Sequence, residues 1–124
     1  MSQNPYLVAL ELLKINHGTL GQGALAKCVL SLYNSDHSFG IGEVLARTDD
    51  RYTQVVMNML KEYSVNGETE ELRMAGEYVS ENFPRLIELS SAMQNARDEV
   101  RQEWEHQRQE EADRLYQKMA DLDY

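Results

Sequence analysis

The chain has 124 residues, of which 42% are hydrophobic and 27% charged, a balance typical of one folded domain rather than of a disordered segment. Its net charge of −9 disfavours direct binding to nucleic acid, because an acidic surface repels phosphate backbones. The single cysteine excludes an internal disulfide and a multi-cysteine zinc site.

The amino-terminal segment, from Met1 to Ile15, does not resemble a signal peptide, because no positive charge precedes its apolar part and Glu11 interrupts it. No stretch approaches the ~20 apolar residues that span a bilayer. We therefore expect a cytoplasmic protein with no membrane partner. Only two prolines occur, and their scarcity favours helices over a many-stranded sheet.

The first helix is predicted to begin with Asn4 as its cap and Pro5 at its first position, and to end at a left-handed Gly18. Its apolar residues form a wide stripe, which predicts a largely buried helix. They are Leu7, Val8, Leu10, Leu12 and Ile15, with Lys14 on the same stripe. A second helix is predicted from Leu20 or Gly21 to Tyr33, with a core stripe at helical spacing made of Leu25, Cys28, Val29 and Leu32.

Turn-forming residues from Asn34 to Gly40 predict a loop. The residues from Ile41 to Ala46 predict a short helical turn after it. The next helix begins at a cap on Thr48 or Asp49 and ends at Asn66-Gly67. Its apolar residues follow strict 3-4-3 spacing and are Tyr52, Val55, Val56, Met59, Leu60 and Tyr63. Thr69 caps a further helix with a face made of Leu72, Ala75, Val79 and Phe83, where Ala75 and Gly76 permit close packing.

Pro84 is expected to break or kink the chain after Phe83, because proline disfavours helical geometry in the preceding residue. The uninterrupted pattern from Pro84 to Met119 predicts a helical rod of roughly 54 Å. Its first apolar residues keep near-heptad spacing and are expected to pack on the domain; they are Leu86, Leu89, Met93, Ala96 and Val100.

These elements predict an all-α fold, a small helical bundle of about five helices with a long charged C-terminal helix. The expected division is a helical domain at 4–100 and a charged helical extension at 101–124. Charge is uneven: residues 1–67 hold six acids and five bases, whereas residues 68–124 hold fifteen acids and seven bases. Pairs four residues apart, Arg101 with Glu105 and Glu110 with Arg114, are expected to support the exposed helix.

The glycine-rich segment Gly18 to Gly23 precedes a helix, as a phosphate-binding loop would. No strand precedes it and no lysine follows at the required spacing, so a turn between helices is the favoured interpretation. Asp36 and His37 could bind a metal if Cys28 or Asp49 lay nearby, but a solvated loop histidine is commoner. The sequence Asp36-His37-Ser38 is not expected to act as a triad, because triads assemble from separate elements.

Cys28 lies on an apolar stripe, which indicates a buried, unreactive thiol rather than a nucleophile. Asp49 and Asp50 are interpreted as acids at a helix start rather than as ion ligands. We predict no catalytic residue, no cofactor and no metal. Trp104 is the most informative single residue, because an isolated tryptophan on a charged helix either covers its own domain or anchors a partner.

The middle of the chain is similar to a known family over roughly residues 7–63. The matching residues are Gly21-Gln22, Ala26 to Ser35, Gly40-Ile41 and Asp49. They resemble an uncharacterised family of short bacterial proteins common on plasmids and other mobile elements. This sequence has Leu32-Tyr33 where that family has paired tryptophans, and Ile41-Gly42 where it has Phe-Asp. The resemblance implies a mobile-element accessory protein and transfers no site residues.

The leading hypothesis is a non-enzymatic accessory protein of a phage or plasmid. Its acidic helical arm would bind a host or defence protein with a basic surface, one that normally binds nucleic acid. The predicted protein-binding residues are Glu103, Trp104, Glu105, Glu110, Glu111, Leu115 and Met119. The alternative is a structural, self-assembling phage or plasmid component that forms a homodimer through its long C-terminal helix. A third class, an enzyme using the glycine-rich segment or the Asp36-His37 region, is disfavoured.

Overall fold

A computed structural model describes residues 3–15 and 18–122 of the chain. These residues form six α-helices and one short 3-10 turn, and no strand occurs among them. The helices are α1 (Pro5–Ile15), α2 (Leu20–Tyr33), α3 (Ile41–Leu45), α4 (Asp50–Asn66), α5 (Glu70–Asn82) and α6 (Pro84–Leu122), and the turn is Ser35–His37. The all-α fold and the long C-terminal helix are therefore confirmed.

The residues group into two compact units, Met1–Ser91 and Ala92–Tyr124. Helix α6 contributes its first residues to the first unit and the rest to the second. We call residues 92–122 the arm. The division of the chain into 4–100 and 101–124 stays a prediction.

Polar side chains cap the starts of four helices, each by accepting a hydrogen bond from an amide of the first turn. They are Asn4 (from Tyr6 N, 2.9 Å), Thr19 (from Gln22 N, 3.1 Å), Asp49 (from Tyr52 N, 2.9 Å) and Thr69 (from Leu72 N, 3.3 Å). Of the two caps predicted for α4, Asp49 is the one observed. The hydroxyl of Thr48 instead lies 2.7 Å from that of Thr53. Gly18 and Gly67 adopt positive φ angles of 79° and 63°, which glycine tolerates without steric cost.

The core of the first unit lies between α1, α2, α4 and α5. On α4 and α5 the sequence stripes are largely confirmed, since Tyr52, Val55, Val56 and Met59 are buried, as are Leu72, Ala75 and Val79. On α1 the predicted face is only partly right. Leu10 and Leu12 are buried, but Leu7 and Ile15 are exposed, and the core positions are instead taken by Tyr6, Ala9 and Leu13.

Helix α2 is the central element of the first unit and contacts α1, α3, α4 and α5. Its contact with α5 is close because Tyr33 packs on Gly76. A Cβ atom at position 76 would lie 2.1 Å from Cγ of the Tyr33 ring, far inside van der Waals contact. Gly76 is therefore required for this helix pair to approach as it does.

The chain breaks at Phe83, as predicted, and α6 begins at Pro84. The expected apolar packing of α6 is partly wrong, because Leu89 is 46% exposed and Val100 is 48% exposed. The buried side chain at this end of α6 is Ser90, which is 1% exposed. Its hydroxyl lies 2.7 Å from Nδ1 of His37, so a hydrogen bond joins the 3-10 turn to α6.

We predict that Gly76→Ala lowers the free energy of unfolding by about 1–3 kcal/mol, because the added methyl group must displace the ring of Tyr33. The measurement is urea unfolding followed by circular dichroism. Gly23→Ala is the matched control, since no atom lies within 4 Å of a Cβ built there. In α2 that change is expected to raise stability by roughly 0.5–1 kcal/mol. Equal effects of the two substitutions would contradict the packing argument.

Candidate protein-binding surface on the C-terminal helix

The glycine-rich segment forms the turn at Gly18 and the first turn of α2, and the buried side chain of Gln22 holds it. Gln22 Nε2 donates to the carbonyl of Leu13 at 2.7 Å, and its Oε1 accepts from the amide of Gly18 at 2.9 Å. The amide of Gly23 donates to the carbonyl of Thr19. A phosphate-binding loop needs amides that point at an anion, whereas the amides at 18, 22 and 23 already have protein acceptors.

His37 is directed to Ser90 rather than to its sequence neighbours. The hydroxyl of Ser38 donates to the carbonyl of Ser35 at 2.6 Å, so Asp36, His37 and Ser38 do not form a relay. Within residues 3–15 and 18–122, no group of three histidine, cysteine or acidic side chains is placed to hold a metal ion.

Two buried groups have perturbed pKa values. Burial raises the pKa of Cys28 from its ordinary 9.0 to about 12, so the thiol stays protonated at neutral pH and is a poor nucleophile. Burial raises the pKa of Tyr6 to about 12 as well, with smaller contributions from Glu62, Tyr63 and Cys28. The Tyr6 hydroxyl is buried and has no hydrogen-bond partner among residues 3–15 and 18–122, a desolvation cost of about 1–3 kcal/mol that its packing must offset.

The arm differs from the first unit in the exposure of its side chains. Every residue from 99 to 119 is exposed, including the large apolar ones. Trp104 is 59% exposed, and Leu115, Tyr116, Met119 and Leu122 are more than half exposed. Exposed apolar side chains arranged along one helix are typical of a surface that another protein covers.

Successive residues of a helix are about 100° apart around its axis, which sorts the arm into three sectors. An apolar stripe is formed by Val100, Trp104, Leu115, Met119 and Leu122, and Arg108 and Glu111 interrupt it. An acidic flank is formed by Glu99, Glu103, Glu110, Asp113 and Asp121, and Arg114 borders it. Arg97, Arg101 and Lys118 also lie in the sector of the stripe, whereas Asp98 and Glu105 lie on the opposite flank. The arm as a whole holds eight acids and five bases, and five of the eight acids lie on the acidic flank.

Glutamine side chains stabilise the arm without neutralising its acids. Gln94, Gln109 and Gln117 each donate to an aspartate four residues later, at 3.1 Å in each case. Such pairs stabilise a helix by roughly 0.2–0.5 kcal/mol each. Because the donor amide is neutral, the charges of Asp113 and Asp121 remain available on the acidic flank.

The ion pairs of the arm differ from those expected. Arg101 pairs with Asp98 at 3.8 Å, and Arg108 pairs with Glu105. Glu110 lies 3.1 Å from Nε2 of His106, an ion pair when that histidine is protonated. The predicted pairs of Arg101 with Glu105 and of Glu110 with Arg114 are thus replaced by pairs with other neighbours.

The seven predicted binding residues do not share one face. Glu103 and Glu110 lie together on the acidic flank, whereas Trp104, Glu111 and Leu115 lie on the apolar stripe with Met119 at its edge. Glu105 lies on the far side, beside Asp98. The predicted binding set leaves out two exposed members of the stripe, Val100 and Leu122. Val100 was expected to pack on the domain, although its spacing from Trp104 places it on the stripe.

The surroundings of Trp104 also include residues that the sequence did not single out. A shallow groove beside its ring is lined by Ala96, Arg97, Val100 and Arg101. Arginine stems and an exposed indole together give an apolar surface edged by positive charge. The stripe therefore carries its own cations next to the acidic flank.

Comparison with protein-family models finds no match, and comparisons with curated proteins and with solved structures find none either. The family resemblance of residues 7–63 accordingly stays a hypothesis. Among the described residues, no helix is both long enough and apolar enough to cross a membrane.

We predict that the protein loses stability as the pH rises from about 9 to about 12. Cys28 and Tyr6 hold their protons more tightly in the folded than in the unfolded state, so their contribution is complete below pH 9 and falls above it. Thermal unfolding at stepped alkaline pH measures this. The variant Cys28→Ala should show a shallower decline, and an unchanged decline would contradict the assignment to Cys28. At pH 8 the thiol should react with maleimide only after unfolding.

Proposed function

We propose that this chain is a non-enzymatic accessory protein that binds another protein through its arm. The single observation that carries the proposal is the exposure of every side chain from 99 to 119, among them Trp104, Leu115 and Met119. Water-exposed indole and aliphatic groups gain free energy when a partner covers them, and tryptophan is enriched among residues that dominate binding energy.

The proposed partner has a basic surface. Glu103 and Glu110 lie on the acidic flank with Glu99, Asp113 and Asp121, and such a concentration of one charge speeds encounter with a surface of the opposite charge. Glu105 and Glu111 extend the negative potential around the helix. A protein whose basic surface ordinarily contacts nucleic acid fits this chemistry, because its site already attracts a line of negative charges.

The biological setting that we propose comes from the family resemblance. A short accessory protein of a phage or plasmid would act in the cytoplasm on a host or defence protein. By occupying a surface meant for nucleic acid, the arm would inhibit that protein without catalysing a reaction. No cofactor is needed for this mode of action, since charge and apolar contact suffice.

The experiment is affinity capture with the full chain as bait in a bacterial lysate, followed by mass spectrometry. We expect one basic protein to be enriched, and the variant Glu103→Gln/Glu110→Gln to lose most of it, because two adjacent charges of the acidic flank disappear. Raised salt should weaken the capture by screening. Added double-stranded DNA should displace the chain if the captured surface binds nucleic acid.

The matched control is Asp98→Asn/Glu105→Gln, which removes two negative charges from the other side of the same helix. Capture should survive this change. Equal loss in both variants would show that net charge alone drives the interaction. Undiminished capture by Glu103→Gln/Glu110→Gln, or no specific protein at all, would contradict the proposed function.

A further inference from the structure

The apolar stripe of the arm is arranged almost symmetrically along the helix. Val100 and Trp104 lie on one side of its polar interruption, and Leu115 and Met119 lie on the other. These residues are 48–65% exposed. Trp104 and Leu115 are eleven residues apart, close to three full turns, so they lie on the same line along the helix.

The interruption consists of Arg108 and Glu111, two opposite charges in the same sector as the stripe. A partner that covers the whole stripe must meet both charges, and it must place an acid near Arg108 and a base near Glu111. A second copy of the arm in reversed direction presents those two groups in that order.

We infer that the arm pairs with the arm of a second copy of this chain in antiparallel orientation, with a two-fold axis between Gln109 and Glu110. In this register Trp104 faces Leu115 of the second copy and Val100 faces Met119 of the second copy. Arg108 faces Glu111 of the second copy. By symmetry each of these contacts occurs twice.

Charge selects the antiparallel over the parallel arrangement. A parallel pair in register also matches apolar with apolar, but it places Arg108 against Arg108 and Glu111 against Glu111. Like charges at the centre of a helix pair are destabilising, whereas the antiparallel register converts the same four side chains into two ion pairs. The charges of Arg108 and Glu111 thus favour the antiparallel over the parallel direction of the two helices.

The edges of the antiparallel pair are consistent with this register. Glu103 lies near Arg114 and Lys118 of the second copy on the same side, an attractive arrangement. Arg101 lies across from Lys118 of the second copy, at the same angles around the helix as Met119 and Val100, so this like-charge contact occurs twice in the stripe sector. Their long stems can carry the charges outward into water. The repulsion does not favour the parallel pair, which would place Arg101 against Arg101 and Lys118 against Lys118.

This inference rests on the proposed function in one respect, namely that the arm is the interacting segment. It assigns the second copy to the apolar stripe and to the edge of the acidic flank at Glu103, and leaves the rest of the acidic flank, with Glu99, Glu110 and Asp113, for the basic partner. Because the two-fold axis runs perpendicular to both helices, the two acidic flanks lie on the same side of the pair. The basic partner would then meet two acidic flanks together.

The first test is the mass of the full chain in solution by analytical ultracentrifugation. We expect twice the chain mass of 14.3 kDa at micromolar concentration. Arg108→Glu should raise the dissociation constant of the dimer by about tenfold or more, because it faces Glu111 of the second copy. The double variant Arg108→Glu/Glu111→Arg should restore the dimer, which only the antiparallel register allows.

Glu111→Arg alone should weaken the dimer as Arg108→Glu does, because it faces Arg108 of the second copy. Asp113→Arg is its matched control, since it makes the same change of charge on the side away from the stripe. It should leave the dimer intact. Trp104 is the chain's only tryptophan, so its emission reports directly on the contact with Leu115 of the second copy. Emission should shift to the red on dilution and in Leu115→Ala.

Cross-linking tests the direction. In the antiparallel pair two copies of Val100→Cys hold their new thiols about 28 Å apart and form no disulfide with each other. A mixture of Val100→Cys with Met119→Cys should form one. Cys28 is 3% exposed and does not compete. Efficient cross-linking of Val100→Cys with itself would overturn the register in favour of a parallel pair.

The two proposals fail separately. A chain that is monomeric at high micromolar concentration would overturn the pairing and leave the capture of a basic protein unaffected. If the double variant Arg108→Glu/Glu111→Arg restores the dimer but the chain captures no basic protein, the pairing is upheld and the proposed function is overturned.

Discussion

The packing of Tyr33 on Gly76 is the contact on which the first unit depends. Helix α2 contacts four other helices, and its approach to α5 requires that no side chain project at position 76. Because protein interiors are packed as densely as organic crystals, even one methyl group at that contact must displace its neighbours. The other buried residues of α5 are Leu72, Ala75 and Val79, which belong to the same core.

The helix of the arm is stabilised in a different way from the helices of the first unit. Its helix is long enough to persist with little tertiary support, since helices beyond about 12–15 residues become stable when side-chain pairs assist them. Glutamine–aspartate hydrogen bonds such as Gln109 with Asp113 provide this assistance and keep the carboxylate charges. The same residues can therefore stabilise the helix and attract a basic protein, which a helix supported only by arginine–acid pairs would do less well.

The two proposals divide one helix between two partners. The apolar stripe, centred on Trp104 and Leu115, would be covered by a second copy, while Glu103 and Glu110 would face a basic protein. This division is possible because helical geometry places the stripe and the acidic flank on different sides of the same residues. The proposed pairing would also account for Arg108 on an otherwise acidic helix, since Arg108 would lie opposite Glu111 of the second copy.

The sequence by itself determined where the helices begin and end, because caps such as Asn4 and Thr69 and breakers such as Gly67 and Pro84 act within a few residues. It also determined the charge sectors of the arm, which need only helical spacing. The tertiary structure decided which face of α1 is buried, since that helix is apolar almost all round. It alone joined His37 to Ser90, 53 residues away, because hydrogen bonds between distant residues follow from how the helices pack rather than from local pattern.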